Sequence, residues 1–244
     1  TLTDATITVN STAKGKVRLV LDSVTLTSAK GSPLVVTAAD EVVLVLADGS
    51  TNTITDTSAH TKSDDPDEPN AAIFSMADLT IAGTGTLQVT SNNADAIASK
   101  DGLVVSSGTL ALTAGDDGLR GKDYVIIDGG TIDVKSGADA IKSTNETDDT
   151  VGLVMINAGT VSLNAGDDAI HAEGDLVVAG GELTVTSSVE GLEGANVVIA
   201  GGHTSIISSD DGLNATSGTT ATATGGAAGG PGGGLGPLHE LGID

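Results

Sequence analysis

The stretch Asp101–Lys122, DGLVVSSGTLALTAGDDGLRGK, is one copy of a motif that recurs through most of the chain. The next copy, from Asp123, reads DYVIIDGGTIDVKSGADAIKST. An earlier copy starts at Asp78 (DLTIAGTGTLQVTSNNADAIASK), and later ones start at Gly152, Asp175 and Asn196. Self-similarity at a fixed period, here about 22 residues, marks a stack of coils.

Each copy has the same grammar. Alternating apolar residues (Leu79, Ile81) lead into a glycine turn, then a second alternation (Leu87, Val89). A polar turn follows, and then an acid, a small residue and an aliphatic, as in Asp95-Ala96-Ile97. A period of two belongs to strands with one buried face, and no segment carries the 3.6-residue period of a helix. Three short strands and three turns per coil make an all-β parallel solenoid. The usual hand of parallel crossovers makes the expected fold a right-handed parallel β-helix. Val17–Leu26, Pro33–Thr37 and Glu41–Leu46 read as less regular coils, so roughly nine coils fill residues 1–218. A polar insertion at 60–70, HTKSDDPDEPN, interrupts them with the acids Asp64, Asp65, Asp67 and Glu68. A second, shorter insertion spans 145–150, and residues 219–244 read as a flexible Gly-rich tail.

Composition narrows the function. The net charge is −23, and no basic stripe exists to displace phosphate counterions, so nucleic acid is not an expected partner. No apolar run of about 18 residues is present to span a membrane. The chain has no cysteine, which removes disulfides, thiolate metal sites and thiol catalysis. It begins at Thr1 without a signal peptide and reads as a processed or trimmed chain. One Phe and one Tyr are too few for an ordinary core, whereas stacked Val, Ile, Leu and Ala rungs need none.

One column carries the chemistry. Asp95, Asp117, Asp139, Asp168, Glu190 and Asp211 recur at steps of 22, 22, 29, 22 and 21, the long step absorbing the second insertion. Asp116, Asp167 and Asp210 stand beside it. Equivalent residues of neighbouring coils stack about 4.8 Å apart, where carboxylates repel unless cations lie between the rungs. Calcium takes about 6–8 oxygens at roughly 2.3–2.6 Å. Asp95, Asp116, Asp117, Asp139, Asp167, Asp168, Asp210 and Asp211 are therefore the candidate Ca²⁺ ligands; the alternative is a solvated acidic face. Three residues after the acid, Arg120, Lys142 and His171 follow one another in successive coils. They are candidates for gripping sugar carboxylates, or else local salt bridges to the acid ladder.

The succession VRLVLDSVTLTS from Val17, VVLVLADGSTNTITD from Val42, DEPNAAIFSMADLTIAGTGTLQV from Asp67 and GDDGLRGKDYVIIDGGTI from Gly115 resembles a known family. That family is the bacterial secreted carbohydrate-binding domain-containing parallel β-helix proteins, and the resemblance runs from Val17 to about Gly218. It implies a pectate-lyase-like right-handed β-helix with calcium between its coils. It also implies binding of cellulose or polygalacturonate without established catalysis. The family's acidic turns fall on the same eight aspartates, and the sequence departs from them at Val189-Glu190.

The expectation is a calcium-binding β-helix, secreted or on the cell surface, that binds plant cell-wall or acidic polysaccharide and is not an enzyme. Two other readings stand beside it. Open β-helix ends are unpaired edges, so subunits could stack end to end into an extracellular filament or surface layer. A polysaccharide lyase would need calcium near Asp117 or Asp139 with Arg120 or Lys142 as base, and an arginine pKa above about 12 weighs against it.

Overall fold

The structure, a computed structural model, describes residues 1–60, 67–148, 150–216 and 239–243. Among these there is no helix, and the strands stack in parallel into a β-solenoid of about nine turns. Each coil feeds three ladders. The first runs from Leu2–Thr3 through Thr86–Ser91, Thr109–Ala114, Thr131–Lys135 and Thr160–Asn164 to His203–Ser208. The second includes Ala71–Ser75, Asp95–Ser99, Leu119–Gly121 and Ile141–Ser143, and the third includes Asp78–Gly83, Gly102–Val105, Tyr124–Ile127 and Leu153–Ile156.

The expectation of three separate strands holds for the early coils and fails near the end. Ile170–Val178 and Leu192–Ile199 each run through both the second and third ladders, joining them into one 15-stranded sheet. Earlier coils turn at Lys100-Asp101 and Lys122-Asp123. In the later coil the bend is taken up by a register shift between Ala172 and Asp175, so the strand continues through it.

Register follows the alternation read from sequence. Leu87, Leu110, Ile132, Val161 and Leu183 pair in succession, as do Val89, Leu112, Val134, Leu163 and Val185. All ten are buried. The intervening threonines point outward, and Thr51 extends the ladder of Thr86, Thr109, Thr131 and Thr160 by one coil. The glycine turn needs glycine twice over: Gly130 has φ +96°, and a Cβ there would lie 2.6 Å from the Gly108 carbonyl of the coil before.

No ring enters the interior among the described residues. Phe74 is buried in a separate cluster outside the main core with Val35, Ala71 and Ala98. Tyr124 packs where Gly102 leaves room and donates its hydroxyl to Asp78 at 2.9 Å. Aliphatic side chains stacked on their counterparts fill the solenoid instead.

The tail expected at 219–244 lies outside the described residues apart from 239–243. That piece forms the strand His239–Ile243, antiparallel on His203–Ser208 of the last coil. Asp64 and Asp65 of the 60–70 insertion also lie outside the described residues.

The alternation makes a paired test. Ile132→Ala, at a fully packed rung, should cost about 2–5 kcal/mol in urea unfolding. Thr109→Ala, one residue position out of phase on the neighbouring coil, should stay within about 0.5 kcal/mol. Equal costs would mean the register is off by one.

Candidate functional site

The acids sit at the turns that open the second ladder's strands. Ile97, Leu119, Ile141 and Ile170 pair in succession, which sets Asp95, Asp117, Asp139 and Asp168 one above another. Their exposures are 0, 4, 2 and 7%, so this part of the column is not a solvated face. Asp116 and Asp167, one residue earlier in their turns, are exposed.

A buried carboxylate needs partners, and here the backbone supplies one per rung. Asp95 Oδ1 accepts the Asp117 amide at 3.1 Å, Asp117 Oδ1 accepts the Asp139 amide at 3.1 Å, and Asp139 Oδ1 accepts the Asp168 amide at 2.9 Å. The second oxygens meet the basic column. Arg120 reaches Asp95 at 3.3 Å and Asp117 at 4.0 Å, Lys142 donates to Asp139 at 2.6 Å, and His171 Nδ1 lies 3.2 Å from Asp168. Arg120, Lys142 and His171 thus all face the acid ladder.

The ladder remains under electrostatic stress. Burial, only partly offset by Arg120 and aggravated by Asp117, pushes Asp95 up to about 7. Burial and the Asp139 charge push Asp117 up to about 6. Burial likewise works to raise Asp168, but its hydrogen bond with His171 holds it below the ordinary range. His171 is raised in turn, first by that bond. Glu193 is pushed up to about 7 by burial and by hydrogen bonds to the Asp168 and Glu190 carboxyls.

Six of the eight expected ligands come together in two groups, Asp95 with Asp116 and Asp117, and Asp139 with Asp167 and Asp168. Within each group one oxygen per residue lies within 4.8 Å of the others. Carboxylate oxygens bound at roughly 2.3–2.6 Å to one ion would stand no more than about 5 Å apart, so both groups fit a hard divalent cation. Asp210 and Asp211 are exposed and join no such group among the described residues.

Sequence reading missed two members of the site. Asn70 places its Nδ2 3.4 Å from Asp95 Oδ2, and its Oδ1 is buried without a partner. An unsatisfied buried amide oxygen beside a carboxylate group is of the donor type a hard cation takes. Asn70 and Asp95 belong to neighbouring coils, as the Asp95 amide bonded to the Asn70 carbonyl shows, but the 60–70 insertion breaks the count that would reveal it. Glu193 closes a third group with Asp168 and His171; the sequence aligned it with the basic column, not with the acids.

A family model described as carbohydrate-binding domain-containing protein matches residues 1–229. A protein of Acetivibrio thermocellus with the same description is 37% identical over 97 residues. That is 39% of this chain and 34% of the relative, so the match spans about a third of that protein's length. A solved structure described as the polysaccharide lyase-like protein from C. thermocellum, gadolinium derivative, is 33% identical with a TM-score of 0.69. The match covers 87% of this chain and 80% of that one.

The raised groups fix a pH dependence. An acid whose folded pKa lies above its unfolded value costs stability once pH passes the unfolded value, and the full cost is reached above the folded pKa. The windows are about pH 4 to 7 for Asp95 and Glu193, and about pH 4 to 6 for Asp117. His171 acts in the same direction, because its imidazolium stabilises the fold below about pH 6.5 and that gain is lost as pH rises through its folded value. Asp168, held low, has the opposite sign but acts only below about pH 4. In chelator the melting temperature should therefore fall between about pH 5 and pH 8, with Asp95 alone contributing on the order of 3 kcal/mol across that window. A melting temperature that is flat or rising over this range refutes the ladder's electrostatics.

Proposed function

The chain belongs to the family of carbohydrate-binding domain-containing proteins, and from that premise we propose that it is a calcium-loaded, non-catalytic module that binds acidic plant cell-wall polysaccharide outside the cell. The observation that carries the calcium is the pair of buried-and-exposed acid groups, Asp95/Asp116/Asp117 and Asp139/Asp167/Asp168. Two carboxyls of the ladder, Asp95 and Asp117, are pushed up by burial to about 7 and about 6, so both resist ionisation and a bound cation would relieve them. Calcium supplies that charge to oxygen donors without demanding strict octahedral geometry, and Asn70 Oδ1 stands ready as a neutral ligand. The similar solved structure is described as a gadolinium derivative, and gadolinium, like calcium, is a hard cation that takes oxygen ligands.

The polysaccharide partner rests on the family. An acidic glycan approaching a chain of net charge −23 must meet either bound cations or local bases. Calcium at the two acid groups would remove part of that repulsion on the face where the glycan lies. An extracellular setting is part of the proposal, and oxygen-cluster sites of extracellular modules fill at about 10⁻⁴–10⁻³ M calcium. Binding without cleavage is favoured over lyase action by the state of the expected bases. Arg120 and Lys142 are both engaged with ladder carboxylates, and Asp139 outweighs the effect of burial so that the Lys142 proton is held more tightly than usual. A base for abstracting a sugar proton needs the reverse.

Calcium bound only to the folded state stabilises it by about 4 kcal/mol at a thousandfold excess over Kd, which is about 10 °C for a chain of this size. Chelation should lower the melting temperature by that order, calcium should restore it, and magnesium should restore it poorly. Asp117→Asn should forfeit part of the calcium gain. Retention on polygalacturonate or cellulose resin checks the partner. No calcium by elemental analysis together with an unchanged melting temperature in chelator would sink the metal reading, and passage through both resins would sink the glycan reading.

A further inference from the structure

A groove on the outer face of the second ladder lies beside the acid column and shares Asn70 and Arg120 with it. It arises from two adjacent columns of outward residues. In the first, Phe74, Ala98, Arg120 and Lys142 pair in succession. In the second, Met76, Lys100, Lys122 and Thr144 stand two residues further along the same coils, each hung by its amide from the coil before. Ala98 is the smallest member of its column, with Phe74 on one side and Arg120 on the other. The step down from ring and guanidinium to a methyl opens the depression. Its volume is about 420 Å³, within the range of roughly 300–1,000 Å³ typical of small-ligand sites. It draws residues from four consecutive coils, from Asn70 and Met76 to Thr144, so it runs along the solenoid axis and suits an extended chain.

Its charge is opposite to that of the molecule. The whole chain has 10 Lys and Arg against 33 acids, yet this groove is lined by Lys100, Arg120 and Lys122 against a single acid, Asp67. Arg120 is anchored from behind by Asp95 and Asp117. Among the described residues neither Lys100 nor Lys122 makes an ion pair. The carboxylates facing Lys100 are Asp95 and Asp67, and the cations facing it are Arg120 and Lys122. The Lys100 ammonium stands 5.8 Å from the centre of the Phe74 ring. Burial, then the neighbouring Arg120 charge, lowers its pKa, and Asp95 and Asp67 offset this only in part. Met76 and Ala98 supply an apolar floor against which the C–H face of a sugar ring can rest, and Thr144 offers a hydroxyl at the far end.

We propose that this groove is the glycan subsite, and that Lys100, Arg120 and Lys122 take the carboxylate of a uronate residue directly, with no cation bridging it. The proposal rests on the polysaccharide reading above and gives it a place and a mode. Two ammonium groups act as point donors and the guanidinium as a planar one, a set that selects a charged sugar over a neutral one. The acid ladder behind the groove orients Arg120, and the solenoid fixes the spacing of the three cations by the coil step.

The test is the affinity of polygalacturonate for the full chain by affinity electrophoresis, with fully methyl-esterified polymer as the neutral control and inorganic phosphate as a competitor. Lys100→Gln/Lys122→Gln should weaken binding at least tenfold with an unchanged melting temperature. Lys14→Gln/Lys30→Gln, which removes the same charge elsewhere, should change it less than twofold. Lys122→Glu, at an exposed position where folding is not at stake, should weaken it on its own. The esterified polymer should bind weakly to every variant. Equal losses in the two double variants, or none in the groove variants, overturn the proposal while leaving the function standing. Phosphate displacing the polymer as well as galacturonate does would reduce the groove to a general anion site and overturn the uronate assignment. A wild-type chain that holds no polysaccharide brings down the parent reading and this one with it.

Discussion

Each buried ladder aspartate holds the next coil by the amide of its own counterpart. Asp95, Asp117 and Asp139 pass one such bond upward, ending on Asp168. That contact satisfies an oxygen which could not otherwise be buried, and it pins register at the turn, where strand pairing alone leaves slack. Everything chemical in the molecule hangs on it. It brings the acids into groups, presents their remaining oxygens on one side, and sets Arg120, Lys142 and His171 against them. The same contact makes the site expensive, because it keeps carboxyls out of water where they resist ionisation. Structure and charge are in tension along the same column, and the proposed divalent cation would relieve it.

The legible part of the fold was the part that repeats. A period near 22 with two-residue alternation is enough to place Leu110 on Leu87 and Asp117 on Asp95, because in a parallel stack identity of position is identity of neighbours. What did not repeat was hidden. Asn70 belongs beside Asp95, but the insertion before it removes the count. Lys100 and Lys122 are in plain view one coil apart, yet each reads as a turn residue preceding an aspartate, and only the small Ala98 between larger neighbours turns them into a groove. Glu193 looked like a departure from the basic column and instead faces His171 and Asp168. Sequence order tells which residues stack; it does not tell which of two oxygens points at a neighbour.

The sheets divide labour by chemistry. The first ladder shows solvent a row of hydroxyls from Thr51 to Thr160, with few charges. The second ladder carries the acids at its turns and the bases on its outer face. An aliphatic interior allows this, since rungs that pack on their own kind leave most outward residues free to vary, the buried cluster around Phe74 aside. Each coil can therefore change its outer residue without disturbing the stack, as the series Phe74, Ala98, Arg120, Lys142 and His171 shows.

The strand His239–Ile243 runs against the direction of every coil it follows. A solenoid is its own template: the free edge of any coil offers the hydrogen-bonding pattern that the next parallel strand requires. On the first ladder that offer has already been accepted by a strand of the opposite sense. An incoming coil would find there an edge whose polarity matches none of its own strands. Among the described residues, the last first-ladder strand is thus paired by a strand of opposite sense, and its edge is not left bare.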